Sequence, residues 1–176
     1  MTISLAERAY AAGFFDGEGW IRIKRDRRRD MVSPRFFIVV GAANTKREPI
    51  DFLREKFGGS IRVRISKDKC WADRYDWQVT DELAVRFLRV VLPYLKIKRP
   101  QAKLAIQFQD TLHSRLFIHG SKLPRVEVAR RNQFYLKMKA LNVKGIKQSI
   151  LTLAWPERGV DGQLGLFDAF SSLGGL

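Results

Sequence analysis

Two carboxylates one residue apart, Asp16 and Glu18, alternate with Gly17 and Gly19 at the end of the run AAGFFDGEG, residues 11–19. A basic, strand-like run, WIRIKR, follows at once over residues 20–25. Carboxylates set amid positive charge suit a divalent cation held against phosphate, because hard oxygen ligands match Mg²⁺ and the cation bridges to phosphate oxygens. Ahead of the acids, Ala11, Ala12 and Gly13 leave a helical face without bulk, against which another backbone can pack closely. No second copy of this pattern occurs in the 176 residues. Cys70 is the single cysteine and there are two histidines, which excludes a disulfide framework and a zinc site built from His and Cys.

The elements that must position these acids can be read from local signals. Ser4 and Glu7 form a capping box that starts a helix running to about Phe15. Strands are predicted over residues 20–25 and 35–42, joined by RDRRRDMVSP. Asn44 or Thr45 caps a second helix, which Gly58-Gly59 stops. Two alternating strands follow, over residues 60–65 and 74–80. Thr80 caps a helix to about Leu95, Pro100 opens another, and residues 124–141 form one more. This order predicts an α+β fold: one twisted antiparallel four-stranded sheet backed by helices, with further helices towards the C-terminus. The domain is expected to span residues 1–142. Residues 143–176, glycine-rich from Gly159 onward, form a C-terminal extension with partial order.

Thirty-three Lys and Arg against 18 acids give a net charge of +15, the electrostatic footprint of a nucleic-acid partner. No run of about 18 apolar residues spans a membrane, and no basic amphipathic helix with aromatic insertion residues points to a membrane surface. A signal-peptide pattern is also missing, so a soluble, intracellular protein is expected, in cytoplasm or organelle according to host. The basic residues are placed by strand parity. Arg22 and Lys24 alternate with isoleucines, Arg62 and Arg64 share one face, and Arg74 and Gln78 continue it. Arginine bonds bidentately to guanine or phosphate and glutamine reads adenine, so this face is expected to meet DNA. Arg35, the loop residues Arg25, Arg27, Arg28 and Arg29, and Lys67 and Lys69 at a second hairpin tip complete the expected DNA surface. Trp20, Trp71 and Trp77 are expected to pack in the core or at sheet edges rather than stack on bases.

Residue for residue, AAGFFDGEG resembles the motif of the LAGLIDADG homing endonucleases. Two departures stand out: Ala11 replaces the opening Leu, and Glu18 replaces the eponymous Asp, which keeps the ligand type and adds one methylene. LKIKRPQAKLAI, residues 95–106, resembles the family segment that brings a basic residue to the active site, matching Lys98 with Lys96 just before it. GAANTKREPIDFL, residues 41–53, resembles the junction where a polar residue positions water, a place for Asn44 or Thr45.

The resemblance implies an αββαββα core whose sheet rides in the major groove of double-stranded DNA. It implies a Mg²⁺-dependent endonuclease encoded with a mobile intron or intein, with Mn²⁺ able to substitute and Ca²⁺ binding without supporting cleavage. Glu18 and the Gly17 carbonyl would hold the metal, and Lys98 would stabilise developing charge or perturb the attacking water. Single-motif members work as homodimers, and one carboxylate per chain cannot assemble a two-strand cleavage site alone. Ala11, Ala12, Gly13 and Asp16 are accordingly expected at the dimer contact. An RNA splicing maturase and a catalytically silent DNA-binding protein on the same fold are the alternatives; the retained Glu18 and Lys98 argue against the silent one.

Overall fold

The computed structural model describes residues 3–26, 33–68, 70–113 and 123–143. Ser4 accepts from the Glu7 amide at 3.2 Å while Glu7 accepts from the Ser4 amide at 2.8 Å, and this capping box opens α1, Leu5–Glu18. The helix runs three residues beyond the predicted end. It stops where the Gly19 amide donates to the Phe15 carbonyl and the chain turns extended. A β-carbon on Gly19 would collide with the Phe15 ring and carbonyl, so a glycine is needed for the strand to leave α1 this abruptly.

The first hairpin follows, β1 at Gly19–Asp26 and β2 at Arg35–Asn44, paired antiparallel. Neither Asn44 nor Thr45 caps the next helix. Instead the Asn44 Oδ1 accepts from the Lys46 amide at 2.8 Å, a turn that extends β2 by two residues, and α2 begins only at Glu48, with Pro49 in its first turn. That helix, Glu48–Phe57, ends on Gly58 and Gly59, whose φ values of 74° and 92° suit glycine.

The second hairpin, β3 at Ser60–Arg64 and β4 at Arg74–Thr80, completes one sheet of order β1-β2-β4-β3, antiparallel throughout. Then come α3 at Asp81–Val91, α4 at Arg99–His113 and α5 at Arg125–Leu141. Thr80 precedes α3 without its hydroxyl capping it, and α3 ends four residues short of Leu95 because Pro93 cannot supply an amide to extend the helix. The segments 27–32, residue 69, 114–122 and 144–176 lie outside the described residues. The expectations for Arg27, Arg28, Arg29, Lys69 and the C-terminal extension fall there.

Helices cover one face of the sheet. At the centre of that layer, the Phe87 ring meets Phe15, Phe57 and Trp77 edge-on at 5.0, 4.8 and 5.1 Å between centroids. Trp77 satisfies its indole N–H on the Gly58 carbonyl at 2.7 Å, so the ring is buried without an orphaned donor. Ala11 and Ala12 are fully buried in this core. They are therefore packing residues of the single chain, which corrects their expected place at a dimer contact.

On α5, Glu127 is 1% exposed and bonded by Arg130 at 2.8 Å and Arg131 at 2.7 Å, while Arg130 also donates to the Thr111 carbonyl of α4 at 3.1 Å. Removing the carboxylate leaves two guanidinium groups facing a desolvated gap. Glu127→Ala is expected to lose on the order of 3 kcal/mol in chemical denaturation. A loss under ~0.5 kcal/mol would mean that this cluster does not join the two helices.

Candidate active site and nucleic-acid interface

The last turn of α1 and the segment that leads into α4 are tied together through Asp16. Its carboxylate accepts three consecutive backbone amides, from Lys96 at 2.6 Å, Ile97 at 3.1 Å and Lys98 at 2.9 Å. The negative charge also lies at the N-terminal end of α4, where the helix dipole favours an anion. Burial alone would raise the Asp16 carboxyl, but the three amides and the nearby Lys98 outweigh it and hold it below the usual aspartate range. Asp16 thus binds a backbone end, and that end belongs to its own chain.

The tie brings Lys98 to the motif. Its ammonium donates to the Asp16 carbonyl, at the helix end where carbonyls lack intrahelical partners and a cation is favoured. Lys98 is half-buried; that burial pushes its pKa down, against the attraction of Asp16 and Glu18. Glu18 itself is exposed at the junction of α1 and β1, and among the described residues no donor hydrogen-bonds to its carboxylate. A β-carbon on Gly17 would meet nothing within 4 Å, so the backbone there faces open space.

The exposed, uncommitted Glu18 carboxylate supplies hard oxygen of the kind that fits Mg²⁺, with the half-buried Lys98 ammonium beside it as a separate positive charge. Among the described residues, no three His, Cys, Asp or Glu side chains cluster to hold a metal alone. Asn44 and Thr45 lie at the same end of the sheet, since β1 opens with Gly19 opposite Ala42. Thr45 is exposed, whereas Asn44 is occupied in its turn.

Register divides the basic residues between the two faces. Arg22, Lys24, Arg35, Arg62, Arg64, Arg74 and Gln78 stand on the face away from the helices. Arg25 does not: it pairs with Phe36 on the helix side, its guanidinium lies over that ring at 5.8 Å, and it donates to Asn132 at 2.9 Å. Arg25 thus leaves the expected DNA surface and becomes an anchor for α5.

Asp76 clasps Arg64 at 2.5 Å and Arg74 at 2.7 Å, and Asp81 pairs with Arg35 at 3.1 Å. Lys67 and the Lys96 side chain are exposed. Trp20 packs at a sheet edge as expected, on β1 and opposite Gly41, and there it shares the basic face with Arg22, whereas Trp71 departs from expectation at 73% exposure. Among the described residues, no helix is long and apolar enough to cross a membrane.

The fold is that of the LAGLIDADG homing endonucleases. I-CvuI, solved on a DNA target with 2 mM Mg, superposes with a TM-score of 0.61 at 22% identity, over 81% of this chain and 86% of its own. The archaeal intron-encoded I-Vdi141I, complexed with DNA, gives 0.63 at 18% identity over 81% and 88%. The LAGLIDADG homing endonuclease I-SmaMI, bound to cleaved DNA, gives 0.56 at 15% identity over 89% of this chain and 52% of its own. No protein-family model and no curated protein sequence matches the chain.

Asp16→Asn removes the charge that gathers the three amides. The parent's depressed carboxyl contributes stability above the ordinary aspartate value, about 3.9, and loses it as pH falls through the lower folded value. The variant is expected to lose about 1–3 kcal/mol at pH 7 and to show a shallower fall of stability in acid. Unchanged stability and an unchanged acid limb in denaturant titrations would remove Asp16 as the tie.

Proposed function

We propose that this chain is a LAGLIDADG homing endonuclease, a site-specific double-strand DNA endonuclease that works as a homodimer with Mg²⁺. The observation that carries the reading is the meeting of Glu18 and Lys98 across the Asp16 tie, at the end of a basic sheet. Glu18 and the Gly17 carbonyl would hold the metal, with Mn²⁺ able to replace Mg²⁺ and Ca²⁺ supporting binding without cleavage. Bound there, the metal supplies Lewis-acid polarisation of the scissile phosphate. Lys98 places positive charge where the phosphate becomes more negative, and its fixed position avoids reorganisation during the reaction. Thr45, exposed near the same sheet end, is the better of the two candidates for positioning water, because the Asn44 carbonyl is already engaged.

Homodimerisation is supported by what α1 leaves uncovered. Ala6, Ala9, Gly13 and Gly17 are exposed along one helical face, beside Tyr10 at 51% exposure. A second copy packed there across a two-fold axis would bring two Glu18 residues together, one for each strand. The contact set becomes Gly13 and Gly17 in place of Ala11 and Ala12. Such a dimer would read a pseudo-palindrome with half-sites of ~10 base pairs.

Glu18→Gln keeps side-chain size and removes the charge on the metal ligand. Duplex cleavage is expected to collapse, while binding in Ca²⁺ stays within about tenfold of the parent, roughly 1.4 kcal/mol. Undiminished Mg²⁺-dependent nicking by this variant would take Glu18 out of the mechanism.

Gly13→Leu separates folding from assembly, because a β-carbon at Gly13 meets nothing within 4 Å inside the chain. The folded monomer should keep its thermal stability, and the dimer should weaken by about 1–3 kcal/mol or more. Sedimentation on duplex DNA measures this. A Gly13→Leu dimer as tight as the parent would place the interface elsewhere.

A further inference from the structure

Resting on the DNA-cleaving reading above, we infer that Trp20 and Arg22 form one recognition unit, an indole platform that orients a guanidinium to read a guanine close to the cut. Both stand on the basic face at positions two apart on β1. Trp20 lies across Gly41, where an added β-carbon would come within 2.5 Å of the ring and 2.6 Å of the Trp77 carbonyl. A side chain at position 41 would lift the indole off the sheet, so the glycine is what lets the ring lie down. The Arg22 guanidinium sits over that ring, 5.0 Å from its centroid. Stacking of this kind holds the planar group by its face and leaves its N–H edge free for hydrogen bonds in the plane.

Arg22 differs from its neighbours in what else holds it. Arg64 and Arg74 share the Asp76 carboxylate, and Arg35, also stacked on an aromatic ring at 5.0 Å, is paired with Asp81. Among the described residues no carboxylate pairs with Arg22, so its donors are uncommitted while its orientation is constrained. A guanidinium prepared in this way loses little freedom on forming the bidentate bond to guanine O6 and N7 in the major groove.

Place along the strand sets which base it meets. Arg22 lies four residues beyond Glu18, about 13 Å along an extended chain. That is roughly four base-pair steps at ~3.4 Å each. The contact therefore falls in the part of each half-site next to the cleavage position, while the Asp76-bound arginines lie across the sheet on β3 and β4.

The test replaces each guanine of a selected target, one at a time, with 7-deazaguanine, which lacks the N7 acceptor but still pairs with cytosine. Binding in Ca²⁺ is measured for the parent, Arg22→Ala, Trp20→Ala and Trp20→Phe. The parent should lose about tenfold at one guanine per half-site, within about five base pairs of the cut. Arg22→Ala should be indifferent at that position and keep the parent's response at all others. Trp20→Ala should lose most of the discrimination there with Arg22 intact, and Trp20→Phe should restore part of it, which a merely structural tryptophan would not do position by position.

If no guanine loses its penalty in Arg22→Ala, or if Trp20→Ala discriminates as the parent does, the recognition unit is wrong while the endonuclease reading stands. A parent that neither binds nor cuts any duplex overturns both.

Discussion

One carboxylate accepting three backbone amides holds the two ends of the candidate site together. Asp16 lies near the C-terminus of α1, the amides precede α4, and 80 residues of chain separate the first pair. Because the bonds go to main chain, the geometry does not depend on the side chains at positions 96 and 97. Lys98 then returns to the carbonyl of the same aspartate, so each helix end satisfies the other's orphan groups. Two features follow. The lysine is fixed beside Glu18 without a hydrogen bond to it, and among the described residues nothing donates to the Glu18 carboxylate at the mouth of the sheet. Burial lowers the lysine's pKa while the two acids oppose that change.

The sheet contributes a separation of labour between its faces. Its inner side packs Ile21, Ile23, Ile38, Val40, Trp77 and Val79 against the helices. Its outer side carries the arginines in a pattern that is not uniform. Some are tied to acids, and one rests on an indole. Even this outer face has an apolar floor: Val39 is fully buried although it pairs with Arg22 and Thr80 and lies outside the main core. Long side chains laid over such a floor lose conformational freedom during folding, before any partner is met.

Much of this was legible in the sequence because it rests on local physics. The Ser4–Glu7 box, the Gly58-Gly59 stop and the alternation in β1, β3 and β4 each have short-range causes, and the fold class followed from their order. What the sequence hid was longer in range or finer in phase. Adjacent helical residues differ by about 100°, so Ala11, Ala12 and Gly13 could not be assigned to inner and outer faces by their small size alone. Packing buries the two alanines and leaves the glycine out. The partner of Asp16 lies too far along the chain for any local signal. Arg25 turns to the helix side, and the charge run in which it stands hides that inward parity.

The central claim is that each protomer supplies one complete Glu18–Lys98 site and cuts one strand. It is tested most directly with a heterodimer, purified through two different tags, that joins a parent protomer to a Glu18→Gln protomer. Single-turnover cleavage of a duplex labelled on both strands should give a nick in one strand only, at the position where the parent cuts that strand. Double-strand cleavage by this heterodimer at the parent's rate, or no nicking at all, would contradict the assignment of one strand to each protomer.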